Sequence, residues 1–468
     1  MIPDRLRWLV EPGSSPVELG ERFSAAGKVL YLVGGSVRDA FLDRPSPDLD
    51  FTTDAHPDEV KRLVEGWADA VYTMGEAFGT VGVRRGDDIF EITTFRSEVY
   101  REESRKPHVA YSDNIEEDLS RRDFAVNAMA LRIPDAELVD PYGGMLDLAR
   151  AVLRTPLDPH VSFSDDPLRM LRLFRFQATL GFIPDPAALE AVAEMAERLS
   201  IVSAERIRDE FSKLLEADDP GPALSGLVRS GLADVFVPEL SLLEMEMDPL
   251  HRHKDVLAHT IAVTQKASPR LKLRLAALLH DVGKPETRRF VRGGVTFHHH
   301  EVVGARMARD RLRALRYPKE IVDDVSQLVF LHLRPHTLKL GWTDSAVRRY
   351  VRDAGPILED LNELVRCDVT TANEKRAQTI QRRIDQLEAR IEELREQEEI
   401  DRLRAPIDGN DVMRFLGLAP GPKVGEIMNL LLEKRVEDGP YSEAEAYDIV
   451  LAWARESGLP TPDVENPG

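Results

Sequence analysis

The chain has 468 residues, 43% of them hydrophobic, with 62 Lys and Arg against 82 Asp and Glu and a formal net charge of −20. That length exceeds one ordinary core and predicts three or four domains, while the acidic balance argues against a generally basic nucleic-acid coat and leaves room only for local clusters of Arg and Lys. No apolar run approaches the roughly 20 residues of a membrane span, the first ten residues are charged rather than secretory, and the single cysteine, Cys367, excludes an internal disulfide, so the expectation is a cytoplasmic protein with no membrane partner.

Residues 28–150 read as α/β. An apolar run at 29–33 leads into Gly34-Gly35, and β-like runs at 81–84 and 89–93 flank the turn signal Gly86-Asp87-Asp88. From Pro167 the pattern turns helical, opened by Leu168, Leu171, Leu173, Phe174 and Phe176. A His-rich unit runs from about Pro249 to about Asn373, with seven histidines between positions 251 and 300. Ile380, Ile384, Leu387, Ile391 and Leu394 then recur at spacings of four and three. They predict a long charged helix that either packs on its own chain or forms a dimer seam, which leaves the oligomeric state open. A last helical unit follows Pro406. The predicted division is a head at 1–150, a helical neck at 151–245, a metal-dependent domain at 246–375, a helical body at 376–460 and a disordered tail at 461–468.

Two constellations carry chemistry. The first is Gly34-Gly35-Ser36-Val37-Arg38-Asp39 followed by Asp48-Leu49-Asp50-Phe51. A Gly-Gly turn between a strand and a helix lets backbone N–H groups approach a phosphate. Residues two apart in a strand share a face, so Asp48 and Asp50 would sit side by side and repel unless divalent cations relieve them. Glu91, in the β-like run Phe90-Glu91-Ile92-Thr93, is the candidate third carboxylate. Further on, Arg169, Arg172 and Arg175 are three apart and share a helical face. Asp165 and Asp166 precede them at the expected helix start, where carboxylates suit the helix dipole. A guanidinium and a carboxylate together offer the donors and acceptors needed for a base edge.

The second constellation is His253, His259, His280-Asp281, His300-Glu301 and Asp368. An adjacent His-Asp pair closing the apolar stretch Leu275-Ala276-Ala277-Leu278-Leu279 is costly to bury unless a metal or partner satisfies it. Imidazole and carboxylate together suit transition metals as well as magnesium.

The run from Tyr31 to Phe51 resembles the signature of the polymerase-β-like nucleotidyltransferases of the tRNA CCA-adding and bacterial poly(A) polymerase group. Four further segments resemble that group in the same order: Glu91-Ile92-Thr93-Thr94-Phe95-Arg96, Arg121-Arg122-Asp123-Phe124-Ala125-Val126-Asn127-Ala128, Asp140-Pro141-Tyr142-Gly143-Gly144, and Asp165-Asp166-Pro167-Leu168-Arg169-Met170-Leu171-Arg172. The pattern is that of the bacterial and eukaryotic class, with Asp165 where the family usually has Glu. The resemblance implies an α/β head with a mixed sheet, followed by an all-α neck and body and an all-α HD domain. It also implies addition of CCA to the tRNA 3′ end from CTP and ATP, with no DNA partner.

By the same resemblance, Asp48 and Asp50 hold two Mg²⁺ ions and Glu91 completes the site. Gly34, Gly35 and Arg38 hold the triphosphate, Arg121, Asp123 and Asn127 support the ribose and sugar phosphate, and Asp166 and Arg169 read the base from a helix that also carries Arg172. Residues 94–114 are expected to be either a flexible loop that helps switch nucleotides or an ordinary charged surface loop.

The histidine constellation resembles the HD phosphohydrolase superfamily. His259, His280, Asp281 and Asp368 match its four ligand positions for a divalent metal of unspecified identity, and His300 matches its frequent additional ligand. Such domains fused to these heads imply hydrolysis of 2′,3′-cyclic phosphates or phosphomonoesters, or a scaffold for RNA. Residues 407–412 and 417–425 resemble the C-terminal part of CCA-adding enzymes, with a helix N-terminus expected near Val424. The competing readings are a poly(A) polymerase, an enzyme adding only CC or only A, a phosphohydrolase with the head as an RNA-binding module, and a non-enzymatic RNA-binding regulator.

Overall fold

The structure is a computed structural model that describes residues 3–44, 49–76, 79–99, 108–245, 255–291, 294–337, 342–369, 374–398, 403–459 and 461. The expectations for Asp48, His253, residues 100–107, the domain edges near Pro249 and Asn373, and the tail from 462 lie outside the described residues. The chain forms two compact units, Met1–Ser241 and Leu242–Gly468.

The first unit is built on a mixed sheet. Its strands are β1 (Leu30–Val33), β2 (Leu49–Thr53), β3 (Ala70–Tyr72), β4 (Thr80–Arg85) and β5 (Asp88–Thr94), with β8 (Ala130–Ile133) and β9 (Leu138–Val139) after an intervening hairpin of β6 (Arg96–Val99) and β7 (His108–Tyr111). The order is β3-β4-β5-β2-β1-β8-β9. β2 and β5 run parallel, and the other neighbours are antiparallel.

Strand β1 lies inside the sheet and all four of its residues are buried, which is why it reads as an unbroken apolar run. Strand β5 alternates instead. Phe90 and Ile92 enter the core and Glu91 is exposed on the other face. The turn between β4 and β5 falls where the sequence signal put it, with Gly86 at φ +59°.

Beyond the sheet the unit becomes helical, apart from the short parallel pair β10 (Val152–Leu153) and β11 (Ile183–Pro184). Helix Leu168–Leu180 buries Leu171, Leu173 and Phe174 and ends at Gly181 in the left-handed conformation. Asp165 does not begin this helix: it is the last residue of the preceding helix Pro159–Asp165. Pro167 separates the two, because a proline lacks the N–H that a continuous helix needs and disfavours helical geometry in the residue before it. Asp166 keeps its place at the N-terminus, accepting a hydrogen bond from the Leu168 N–H at 3.2 Å.

The second unit is helical apart from a short hairpin. The helix Glu374–Glu398 buries Ile384, Leu387, Ile391 and Leu394 within its own unit, so the four-three spacing serves packing on the same chain. Arg366 fastens it by pairing with Glu388 at 2.5 Å. In the C-terminal part, Asp408 caps helix Gly409–Leu416, Gly417 ends it at φ +67°, and the next helix begins at Pro422, two residues before the expected Val424. Val412, Leu416, Ile427, Leu431 and Val450 share its core.

Candidate active sites

In the first unit, the turn after β1 sets the geometry of the head. Gly34 sits at φ +76°, outside the range of ordinary side chains, and a Cβ there would lie 3.0 Å from Nη1 of Arg122. The chain can therefore turn from a buried strand directly into helix Gly35–Phe41 while Arg122 packs against its backbone. On the next strands, the parallel register sets Asp50 directly beside Glu91. Adjacent strands lie about 4.8 Å apart, so the two carboxylates form a repelling pair on one face, the kind of donor set that hard divalent cations neutralise.

Both acids line a cleft of about 430 Å³, within the range of small-molecule sites. The same cleft is lined by Arg121, Asp123, Asp166, Arg169 and Arg172. Gly34, Gly35, Arg38 and Asn127 are not in its lining, yet Arg38 and Asn127 are tied to it by a buried relay. Arg38 Nη1 donates to Asn127 Oδ1 at 2.6 Å, and Asn127 Nδ2 donates to Asp123 Oδ1 at 2.8 Å. Arg172 clasps the other Asp123 oxygen through Nε at 2.9 Å and Nη2 at 2.5 Å, and reaches Glu210 at 3.1 Å. Burial alone would raise the Asp123 carboxyl, but the Arg172 cation and the Asn127 amide outweigh it and hold it well below the usual carboxylate range. Arg175 completes this cluster: burial and the neighbouring Arg172 pull its pKa down to about 10, and its guanidinium lies 3.7 Å from the Phe176 ring centroid.

Arg169 is nearly buried. It donates through Nη1 to the Ser162 hydroxyl at 2.9 Å and carbonyl at 3.2 Å, and through Nη2 to the Arg121 carbonyl. Asp166 pairs with Arg206 at 2.8 Å. Arg206 and Glu210 escaped sequence reasoning. They lie on helix Ala204–Leu215, about 40 residues downstream, and only the packing of that helix on Leu168–Leu180 brings them to the site.

In the second unit, residues from five helices or their ends converge. His259 lies in helix Val256–Lys266, His280 follows helix Leu271–Leu279, His300 opens helix His300–Ala314, His332 follows helix Lys319–Leu331, and Asp368 ends helix Leu358–Asp368. Their donor atoms form two groups that can hold a metal ion, one of His259, His280 and Asp368, the other of Asp281, His300 and His332. Asp281 spans both. Its Oδ2 lies 3.1 Å from His280 Nε2 and its Oδ1 lies 3.3 Å from His300 Nε2. His332 was missed because nothing in Phe330-Leu331-His332-Leu333 distinguishes it from a core histidine.

The imidazoles are oriented for ligation. Nδ1 of His280, His300 and His332 each meets a backbone carbonyl three residues earlier, at 2.8, 2.8 and 2.6 Å. A carbonyl only accepts, so each Nδ1 carries the proton and each Nε2 turns towards the centre. All three Nε2 atoms are buried without a hydrogen-bond partner among the described residues, which is the condition a bound cation relieves. The electrostatics agree. Burial alone would lower His280, but Asp281 and Asp368 outweigh it and push its pKa up to about 10, while burial and the His280 charge pull His332 down to about 3. The centre thus attracts positive charge at one position and keeps its neighbour neutral.

Gly283 makes this closeness possible. A Cβ there would fall 2.2 Å from the His300 carbonyl oxygen. The turn after Asp281 can therefore press against the start of helix His300–Ala314 and bring the two ligand segments together.

A mixed sheet that offers paired carboxylates to an arginine-walled cleft, joined in one chain to a buried His/Asp cluster able to hold a metal ion, defines a nucleotidyltransferase head with an HD-type unit. Residues 30–154 match the Poly A polymerase head domain, residues 181–243 the probable RNA and SrmB-binding site of polymerase A, and residues 256–389 the HD domain. The A-adding tRNA nucleotidyltransferase of Deinococcus radiodurans is 35% identical over 91% of this chain and 96% of its own length. The CCA-adding enzyme of a Geobacillus species is 30% identical over 90% of this chain and 92% of its own. Among solved structures, the Bacillus stearothermophilus CCA-adding enzyme in complex with CTP superposes with a TM-score of 0.66, covering 97% of this chain and 99% of that one at 23% identity, which shows the shared fold. The chain belongs to the tRNA nucleotidyltransferase and poly(A) polymerase family. Among the described residues, no helix is long and apolar enough to cross a membrane.

Proposed function

We propose that this chain builds or repairs the 3′-terminal CCA of tRNA in the cytoplasm, using CTP and ATP. The observation that carries this reading is a single cleft lined both by the registered acids Asp50 and Glu91 and by Asp166 and Arg169. Asp48, Asp50 and Glu91 would hold two Mg²⁺ ions, which supply charge neutralisation at the α-phosphate and at the departing pyrophosphate. The tRNA 3′-hydroxyl forms a bond to the α-phosphorus of the nucleotide, the bond from that phosphorus to the β-bridging oxygen breaks, and pyrophosphate leaves with the hydroxyl proton passing to solvent.

The chain's own contribution is positioning. Gly34, Gly35 and Arg38 hold the triphosphate, and Arg121, Asp123 and Asn127 support the sugar. Asp166 accepts from the exocyclic amine that cytosine and adenine share, and Arg169 donates to the ring acceptor beside it. Arg172 keeps the base-reading helix against Asp123 and Glu210. This work divides among a head at 1–150, a neck at 151–245, an HD domain at 246–375 and a helical body at 376–460.

The HD centre would hold a divalent metal through His259, His280, Asp281, His300, His332 and Asp368, and its chemistry suits hydrolysis of terminal phosphates at damaged tRNA ends. One second reading has specific support. Of the relatives matched along about nine-tenths of this chain, the one from Deinococcus radiodurans is named an A-adding enzyme, which favours addition of the terminal A alone, and the one from Geobacillus is named a CCA-adding enzyme. Incorporation of labelled CTP and ATP, separately and together, into tRNA ending at the discriminator base decides the matter on a sequencing gel. Addition of C, C and A in order, lost in Asp50→Ala, establishes the main reading. Addition of A only to tRNA already ending in CC establishes the second. Long A tracts overturn both.

A further inference from the structure

The segment joining Asp281 to His300 carries a feature that nucleotide addition does not use. Strands β12 (Arg289–Val291) and β13 (Gly294–Thr296) form a hairpin with Phe290 opposite Val295. All three residues of β12 are exposed, so the strand has no covering layer on either face. Phe290 is 69% exposed, and the Arg288 guanidinium lies 5.2 Å from its ring centroid. A lone exposed phenylalanine needs no explanation. An aromatic ring and two arginines on a projecting hairpin next to a metal centre form a different surface, because the charge and the flat face together match a nucleotide.

The C-terminal end of the hairpin is tied to that centre. Just after β13, the Phe297 carbonyl accepts from Nδ1 of His300 at 2.8 Å. The same residue is reached from the centre by Lys284, whose Nζ lies 2.5 Å from Asp281 Oδ2 and 5.7 Å from the Phe297 ring centroid. Phe290 is paired with Val295, two residues before the anchored Phe297, and a strand rises about 3.4 Å per residue, so the ring stands about one nucleotide along the hairpin from that anchor.

We infer that this hairpin is a base-stacking platform for a single-stranded RNA 3′ end. The terminal base stacks on Phe290, its phosphate faces the His/Asp centre, and Arg288 and Arg289 meet the flanking backbone phosphates. The inference rests on reading that centre as a phosphohydrolase.

Two measurements on the full chain test the platform and the hydrolase reading separately. The first is Mn²⁺-dependent phosphate release from 3′-AMP and from glycerol 2-phosphate, which has no base. Phe290→Ala should lower kcat/KM for 3′-AMP about 10-fold, mainly through KM, leave glycerol 2-phosphate unchanged, and be rescued by Phe290→Trp. Equal effects on both substrates, or none on either, overturn the platform. The second needs no turnover: photocrosslinking of a short RNA ending in 5-iodouridine 3′-phosphate, mapped by mass spectrometry. A crosslink within residues 288–296 that Phe290→Ala removes supports the platform even if wild type releases no phosphate, in which case only the hydrolase reading falls. Crosslinks confined to other regions overturn the platform.

Discussion

The cleft of the first unit and the histidine centre of the second both concentrate acidic groups for cations, by opposite means. In the cleft, Asp50 and Glu91 project from exposed positions of adjacent parallel strands, open to cations from solvent. In the histidine centre, His280, Asp281, His300 and His332 are buried at helix ends, and backbone carbonyls orient the three imidazoles. The open site suits a metal that exchanges with each nucleotide. The closed one suits a resident ion whose binding is coupled to folding.

That contrast breaks most visibly at Asp50. Asp50→Ala should lower nucleotide addition by roughly 1000-fold or more while leaving the metal content of the second unit unchanged, as read by incorporation assays and elemental analysis. A variant that also lost the second unit's metal would show that the sites are not independent. The reciprocal change, His332→Ala, should weaken metal binding by more than the roughly 10- to 100-fold typical of outer-shell changes and leave CTP and ATP incorporation within about twofold. Retention of full metal affinity would remove His332 from the centre.

Two further changes address how each region is held. Arg172→Ala leaves Asp123 buried without its cation and should destabilise the first unit by about 3 kcal/mol, measured by denaturant unfolding, with a parallel loss of nucleotide addition. Gly283→Ala forces a Cβ into the His300 carbonyl and should cost about 2 kcal/mol together with metal affinity. The smallest effect concerns pH. The folded Asp123 carboxyl is depressed, so its contribution is complete above the unfolded value of about 3.9 and disappears only as pH falls through the lower folded value. The stability difference between wild type and Asp123→Asn should therefore stay constant from pH 7 to pH 5. A difference that shrinks across that range contradicts the pairing with Arg172.

The same contrast explains what could be read beforehand. The Asp48 and Asp50 pair, a carboxylate within a β-like run and an adjacent His-Asp pair are local patterns, and they pointed to Asp50, Glu91, His280 and Asp281. The helix from Glu374 to Glu398 was legible as a helix, but its partner was not, because a four-three spacing describes a stripe and not what covers it. The placement of Asp165 failed for a related reason. Asp165 and Asp166 are adjacent acids, and only the backbone shows that one closes the helix before Pro167 while the other stands at the start of the helix after it.

Alone, the sequence determined the kinds of group available and their local spacing: carboxylates at 50 and 91, arginines at 169, 172 and 175, and histidines bracketing an apolar helix. Only the tertiary structure decided that Asp50 and Glu91 are register partners, that Glu210 and Arg206 reach Arg172 and Asp166 from a distant helix, and that His332 joins His300 and Asp281. Each of these contacts joins residues that are tens of positions apart. Such contacts are set by which helices and strands bury their apolar faces against one another, a property of the packed core that no local pattern records.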